Sequence, residues 1–121
     1  GDFMPAKANN EYGYINVEDN VIATIAGLSA MESYGIVGMA SKNATDGFFE
    51  MLKWENMSKG VKVYTNGDEV EIDLHVIFQY GMRISIVAEN IIEKVKFNVE
   101  NLTGLTVKKV NIYVQGIRVE K

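Results

Sequence analysis

The chain has 121 residues, a charged fraction of 23% and a net charge of −4 at pH 7. This length predicts one domain around a single core. The chain has no cysteine, which excludes disulfides, thiolate nucleophiles and zinc–thiolate sites, and its acidic balance argues against binding along a phosphate backbone.

The beginning of the chain predicts a tail. Gly1–Phe3 have the character of a cloning remnant, with Met4 as the natural start, and we assign residues 1–10 to this remnant and a flexible tail, and 11–121 to a single domain. No apolar run approaches the ~20 residues of a membrane span, and no signal peptide is visible. These features predict a cytoplasmic protein.

The first regular elements are a strand and a helix. In "YGYINV", Ile15 and Val17 lie on one side of a short strand. A polar segment begins at Glu18, which is a mediocre helix cap. Apolar residues at helical spacing follow over Val21–Ser33. The apolar face predicted for this helix contains Val21, Ile22, Ile25, Leu28 and Ser29.

The stretch "IAGLSAMESYGIVGMA" contains three glycines and raises the question of a phosphate-binding loop. Such loops follow a strand and open a helix, so that amide groups face the phosphates. Here the order is reversed, because Gly35 ends the helix and the apolar run "IVGMA" forms the next strand. We therefore interpret Gly27 and Gly38 as positions where backbones pack closely.

Ser41–Gly60 is the least regular part of the chain. Within it, Gly47–Trp54 predicts a short helix with more large apolar side chains than one stripe can hold. Burial in the core is the more common outcome for such residues. The alternative is a partner-docking knob centred on Phe49 and Trp54, since exposed aromatic clusters mark contact sites.

The segment "VKVYTNGDEVEIDLHVIF" predicts a β-hairpin. Its arms are joined by Asn66-Gly67, the pair favoured in type I′ turns. Alternation assigns the two faces of the second arm. One carries Val70, Ile72, Leu74, Val76 and Phe78, and the other carries Glu71, Asp73, His75 and Ile77.

A long helix and a last strand complete the chain. The helix extends from about Met82 to Thr103, ends at Gly104, and has a predicted buried side of Ile84, Val87, Ala88, Ile91, Val95, Val99 and Leu102. In the strand "TVKKVNIYVQGIRV", the residues predicted to face the core are Val110, Ile112 and Val114. Lys108-Lys109 interrupts the alternation and predicts a bulge.

Together these elements predict an α+β fold. Their order is strand, helix, strand, short helix, strand, strand, long helix, strand. Because the helices suffice to cover only one face of the sheet, we expect a two-layer sandwich with the helices mainly on one face of a mixed sheet.

No constellation of residues predicts catalysis. His75, the only histidine, lies on the polar side of a strand without the partners that a metal site or general base requires. Glu69, Glu71 and Asp73 form an acidic stripe, which we interpret as a solvated strand face, because calcium needs six or more oxygens from a wrapped loop. We expect no catalytic residue, cofactor or metal.

Tyr113, Gln115 and Arg118 are candidates for partner binding on the last strand, beside Phe49 and Trp54 in the irregular segment. If the last strand lies at a sheet edge, it can pair with another chain and drive self-assembly. A central strand whose second face is merely polar fits the pattern equally well.

Three blocks of the chain resemble a known family. "YGYINVEDNVIATIAGLSAMESYGIVGMASK", "SKGVKVYTNGDEVEIDLHVIFQYG" and "IIEKVKFNVENLTGLTVKKVNIYVQGIRV" are similar to the alkaline shock protein family, envelope stress response proteins of Gram-positive bacteria. The likeness is greatest to a short cytosolic branch encoded near a kinase-like protein related to dihydroxyacetone and fatty-acid kinases. Glu18 departs from the serine-like cap expected there.

The resemblance implies a role in cell-envelope homeostasis and stress tolerance, with no catalytic residues to carry over. We therefore expect a non-enzymatic interaction or scaffold protein whose partners are a membrane-anchor protein, a kinase-like enzyme or further copies of itself. Membrane contact would be indirect, through such a partner. The alternatives are a regulatory partner of a kinase-like or fatty-acid-synthesis enzyme and a weak RNA-binding module, although the scarcity of basic residues predicts no nucleic acid partner.

Overall fold

The computed structural model describes residues 6–10, 13–33, 35–40 and 60–119. The predicted short helix at Gly47–Trp54 lies outside these residues. In chain order the elements are β1 (Ala6–Asn10), β2 (Gly13–Val17), α1 (Asp19–Met31), β3 (Ile36–Met39), β4 (Val61–Asn66), β5 (Glu69–Gln79), α2 (Ile84–Thr103) and β6 (Thr106–Arg118).

Strand β5 is the centre of a four-stranded mixed sheet. Along one edge, the first part of β5 pairs antiparallel with β4 and its last part pairs antiparallel with β3. Along the other edge, β5 pairs parallel with β6. Both helices pack against each other, and their buried residues join those of the sheet in one apolar cluster. The predicted α+β fold, with its helices on one face of a mixed sheet, is confirmed.

Strands β1 and β2 form a separate two-stranded antiparallel sheet, with Ala6 opposite Val17. We expected residues 1–10 to be a flexible tail, but Ala6–Asn10 pair with β2 instead. The physical reason is that a strand such as β2 carries backbone donors and acceptors that need partners. The segment immediately before it supplies them.

The predicted side of helix α1 is confirmed only in part: Ile22 and Ser29 are buried as expected. Val21 is exposed, and Ile25 and Leu28 are only partly buried. Small side chains dominate the buried side, which contains Ile22, Ala23, Ala26, Gly27, Ser29 and Ala30. Small residues let a helix lie close to its neighbours, so they outweigh the larger side chains here. Glu18 makes no side-chain capping bond, as expected.

Gly35 lies between α1 and β3 with a φ of 94°, a conformation that favours glycine. The order helix, glycine, strand is therefore as predicted. An added Cβ would lie 3.2 Å from both Met82 Cε and Val87 Cγ2. The close approach at this glycine is to α2 and the loop before it, rather than to the sheet.

The β4–β5 hairpin is confirmed, with its turn one residue later than predicted. Asn66 pairs with Glu69, so the central turn residues are Gly67 and Asp68. Gly67 has a φ of 65°, and the turns that suit a two-residue hairpin need such a residue at this position.

The core lies between the helices and one face of β5. As the alternation predicted, the buried residues of that face are Val70, Ile72, Leu74, Val76 and Phe78. The side of α2 that packs over them contains Val87, Ile91, Val95 and Val99. Ile84 and Leu102 were predicted on this side, but both are exposed because they lie in the end turns of the helix. Gly104 ends α2 in the left-handed conformation, as predicted.

Candidate docking surface on strand β6

Strand β6 forms an edge of the four-stranded sheet. It pairs with β5 from Thr106 to Arg118, and no other strand in the described part of the chain pairs with it. With 13 residues, it is about 40 Å long and presents a long row of backbone groups on its outer side. Of the edge and central positions considered for this strand, the structure shows the edge.

Two bulges interrupt β6. The register against β5 shifts twice, leaving Lys108 and Gln115 as extra residues. The first bulge confirms the prediction from Lys108-Lys109. Bulges increase local twist and make an edge strand a poorer template for uncontrolled pairing.

Burial decreases along β6. Val107 and Val110 are 3% and 8% exposed, whereas Val114 and Ile117 are 39% and 47% exposed. Val76, which pairs with Val114, is fully buried. Val114 therefore lies on the predicted side of the sheet but is not buried, because the helical layer that covers β5 leaves the second half of β6 accessible to solvent.

The exposed half of β6 continues into its neighbours. Val119 and Tyr80 are both exposed, and Tyr80 N donates a hydrogen bond of 2.9 Å to Arg118 O, which fixes the ends of β5 and β6 side by side. We define the β6 edge surface as the outer side of this strand with the exposed apolar side chains Val114, Ile117 and Val119.

Sequence reasoning missed the apolar part of the β6 edge surface. Its partner-binding candidates on this strand were polar or aromatic, and Ile117 and Val119 were not among them. The interruption at Gln115-Gly116 was the available signal for Ile117, because the extra residue there brings Ile117 to the same side of the sheet as Val114.

Tyr113 and Gln115 lie on the second face of the sheet, where both contact His75. The rings of Tyr113 and His75 stack with centroids 5.0 Å apart and an interplanar angle of 16°. Gln115 Nε2 lies 3.1 Å from His75 Nδ1, within hydrogen-bond distance. The structure thus brings two of the predicted residues together around a histidine.

The other predicted binding residues lie elsewhere. Arg118 is exposed at the end of β6, pairing with Gln79 rather than joining the His75 group. Phe49 and Trp54 are outside the described residues. A partner-binding role for each of the five residues stays a prediction.

The acidic stripe is not uniformly solvated, contrary to expectation. Asp73 is buried, and Asn111 Nδ2 donates to its Oδ1 at 2.8 Å and to Glu71 Oε1 at 3.2 Å. Asp73 is enclosed because it lies on the central strand, with Lys62 and Asn111 as its neighbours in the flanking strands. Two carboxylates on this face disfavour phosphate binding there.

Strand β6 is basic. It contains Lys108, Lys109 and Arg118 and no acidic residue. None of the three forms an ion pair with a carboxylate of the described residues, among which the ion pair found joins Lys94 Nζ to Glu32 Oε2 at 3.3 Å. Because the whole chain has a net charge of −4, β6 is a local strip of positive charge on an acidic protein.

The described residues contain neither a cluster of metal ligands nor a helix suited to a membrane span. Across residues 6–10, 13–33, 35–40 and 60–119, no three histidine, aspartate or glutamate side chains come together as metal ligands. The two helices of this part are also not long and apolar enough to cross a membrane.

The chain is similar to proteins of Bacillus and Streptococcus. The uncharacterized protein YloU of Bacillus subtilis strain 168 is 49% identical over 117 residues, covering 96% of this chain and 98% of that protein. The uncharacterized protein Spy1614 of Streptococcus pyogenes serotype M6 is 47% identical over 117 residues, covering 96% and 97%. A stress response regulator gls24 homolog of Streptococcus pyogenes is 28% identical over 114 residues, covering 90% of this chain and 61% of that protein.

The model of the alkaline shock protein family, described as having a "cell envelope-related function", matches residues 7–119. No solved structure matches the chain. Neither the family description nor the names of these relatives indicates an enzyme.

Proposed function

The chain belongs to the alkaline shock protein family, which has a cell envelope-related function, and we propose that it is a non-enzymatic interaction protein that docks other chains through the β6 edge surface. Its role in the envelope stress response is then to hold partners in place. A membrane-anchor protein and a kinase-like enzyme are the partners to test first.

The observation that carries this proposal is that β6 has exposed apolar side chains and an outer edge with which no described strand pairs. Backbone groups along β6 can accept an added strand, and main-chain hydrogen bonds supply much of the affinity in such complexes. Val114 and Ile117 would be covered by the added strand and its side chains, which removes apolar surface from water.

Two isoleucines of nearly equal exposure provide a matched test. Ile117 on β6 is 47% exposed and Ile86 on α2 is 46% exposed, so an aspartate at either position replaces an apolar side chain of similar exposure. In a Gram-positive strain, the gene for the protein is replaced by one that encodes either the Ile117→Asp or the Ile86→Asp variant. The readouts are the size of native complexes that contain the protein and survival of envelope stress, with circular dichroism of each purified variant to confirm folding.

The proposal expects Ile117→Asp to move the protein from larger complexes to monomer size and to lower survival to the level of a deletion strain. Ile86→Asp should behave as the wild type. The partner lost from the Ile117→Asp complexes then decides between an anchor protein and a kinase-like enzyme. Wild-type complexes and survival in both variants would refute docking through β6.

A further inference from the structure

We infer that the β6 edge surface takes an extended segment of a different protein, apolar in its middle and acidic at two positions about nine residues apart. This inference rests on the proposed docking function and specifies the chemistry of the partner. It is argued from the placement of charge and apolar surface along one strand.

The positive charges of β6 lie on either side of its exposed apolar residues Val114 and Ile117. Lys109 and Arg118 are nine residues apart, which is roughly 30 Å in an extended strand. Lys108 adds a second charge at the first end. Since none of the three has a carboxylate partner among the described residues, each is available to a carboxylate brought by another chain.

Two carboxylates near this end of β6 are engaged within the protein. Glu71, which pairs in register with Lys109, accepts a hydrogen bond from Asn111 Nδ2. Glu100 Oε2 accepts one of 2.9 Å from Val107 N. Both carboxylates already accept hydrogen bonds within the protein. The lysines at this end of β6 therefore remain for an acidic side chain of an added strand.

Apolar surface lies between the two charged ends. Val114 and Ile117 are exposed there. Side chains of adjacent strands that lie beside each other stabilise a sheet, and apolar and β-branched pairs are among the favourable ones. A partner strand that matches β6 is therefore apolar in its central residues and negatively charged near its ends.

A second copy of β6 is the wrong occupant on the same grounds. In an antiparallel pair of β6 strands aligned over residues 109–118, Lys109 of one copy lies opposite Arg118 of the other, and like charges directly opposite are destabilising. In a parallel, in-register pair, each charged residue would lie beside the same residue of the other copy, which again places like charges together. The bulges and lysines of β6 are also devices by which natural edge strands resist self-pairing.

A pair of synthetic peptides tests the inference. The probe is a ten-residue peptide with Glu-Glu at each end and Val-Thr-Val-Thr-Val-Thr between, carrying a fluorescent label. Its charge control has Lys-Lys at each end, and its backbone control has N-methyl groups on alternate central amides. Binding to the full chain is measured by fluorescence anisotropy at about 50 mM and about 300 mM NaCl, because salt screens exposed charges.

The expected result is that the acidic peptide binds at least about tenfold more tightly than the lysine peptide at low salt. This ratio should shrink at high salt and in a variant with Lys109→Gln and Arg118→Gln. N-methylation and Ile117→Asp should each weaken binding, whereas Ile86→Asp should not.

Three results would overturn the inference. They are no binding of the acidic peptide, equal binding of the two charged peptides, and a concentration-dependent dimer, measured by sedimentation, that Ile117→Asp abolishes. The last two leave docking through β6 intact and change only its occupant. Failure of the docking function itself is read separately, from the cellular complexes of the Ile117→Asp variant.

Discussion

Asn98 on α2 donates a hydrogen bond of 2.8 Å from its Nδ2 to Ser29 Oγ on α1. The Ser29 hydroxyl is itself buried and donates to Ile25 O at 2.7 Å. The Ser29 hydroxyl thus both donates and accepts a hydrogen bond. These bonds satisfy its buried oxygen and link the two helices above the sheet. Ser29 was predicted on the buried side of α1, and this prediction is confirmed.

Replacing Ser29 with alanine should therefore lower the free energy of unfolding by about 1–3 kcal/mol, because the Asn98 amide loses its acceptor in a partly buried site. Thr24→Ala is the matched control. The Thr24 hydroxyl makes the same type of bond, to Asn20 O at 2.8 Å, but it is exposed on the same helix. Urea unfolding of both variants measures the difference. Equal losses would show that the bond between helices contributes nothing specific.

Asn111→Ala should also destabilise the fold, by about 1–3 kcal/mol, because it removes the amide that donates to the buried Asp73 carboxylate. Asn101→Ala is the control, since Asn101 is exposed and its amide bonds only to Phe97 O, in its own helix. The measurement is thermal or urea unfolding. An Asn111→Ala variant as stable as Asn101→Ala would contradict the role given to this bond.

Gly35→Ala should cost more stability than Gly81→Ala. Both glycines have a positive φ, 94° and 89°, so both substitutions carry backbone strain of roughly 1–2 kcal/mol. Only at Gly35 would the new Cβ also press on Val87 and Met82, whereas at Gly81 it meets nothing within 4 Å. The free energies of unfolding of the two variants give the comparison. A larger loss at Gly81 would argue against close packing at the α1–β3 junction.

Asp19→Asn should change how stability depends on pH. Burial raises the pKa of Asp19 above its ordinary value of 3.8, and its Oδ1 is buried with no hydrogen-bond partner among the described residues. The folded protein then holds this proton more strongly than the unfolded chain, so the contribution of Asp19 to stability falls as pH rises from 3.8 through the folded pKa.

Asparagine has no such titration, so the variant should gain stability relative to the wild type as the pH rises from about 3 to about 6. The exposed carboxyl of Glu89 supplies the control variant, Glu89→Gln. Unfolding midpoints across this range measure the effect. A relative stability of Asp19→Asn that falls with pH would reverse the sign and reject the assignment.

Alternation and helical spacing predicted the parts of the fold in which large apolar residues set the pattern. The inner face of β5 and the row from Val87 to Val99 on α2 are of this kind. The buried face of α1 was predicted only in part, because Ala26 and Ala30 contribute little to a hydrophobic pattern, although they fit close helix packing best. Strand β1 was missed because the apolar residues of its sequence "AKANN" are alanines, which are weak strand formers.

The docking surface was predicted only in outline. The sequence raised the possibility of an edge strand but could not assign the edge, because strand order depends on how distant segments pair. Tyr113 and Gln115 were identified as surface residues, yet their contacts with His75 depend on the parallel register of β5 and β6. The exposure of Val114 depends on how far the helical layer reaches, which a single strand does not encode.

Hydrogen–deuterium exchange of the full chain, with and without a saturating amount of the acidic peptide, tests docking at β6 most directly. Docking at the β6 edge surface predicts that amides within residues 110–118 exchange about tenfold or more slowly when the peptide is bound, at alternating positions along the strand. Amides of β4, which has an outer side of its own, and of α2 should be unchanged. Protection confined to β4 or α2, or no added protection on β6, would contradict the account.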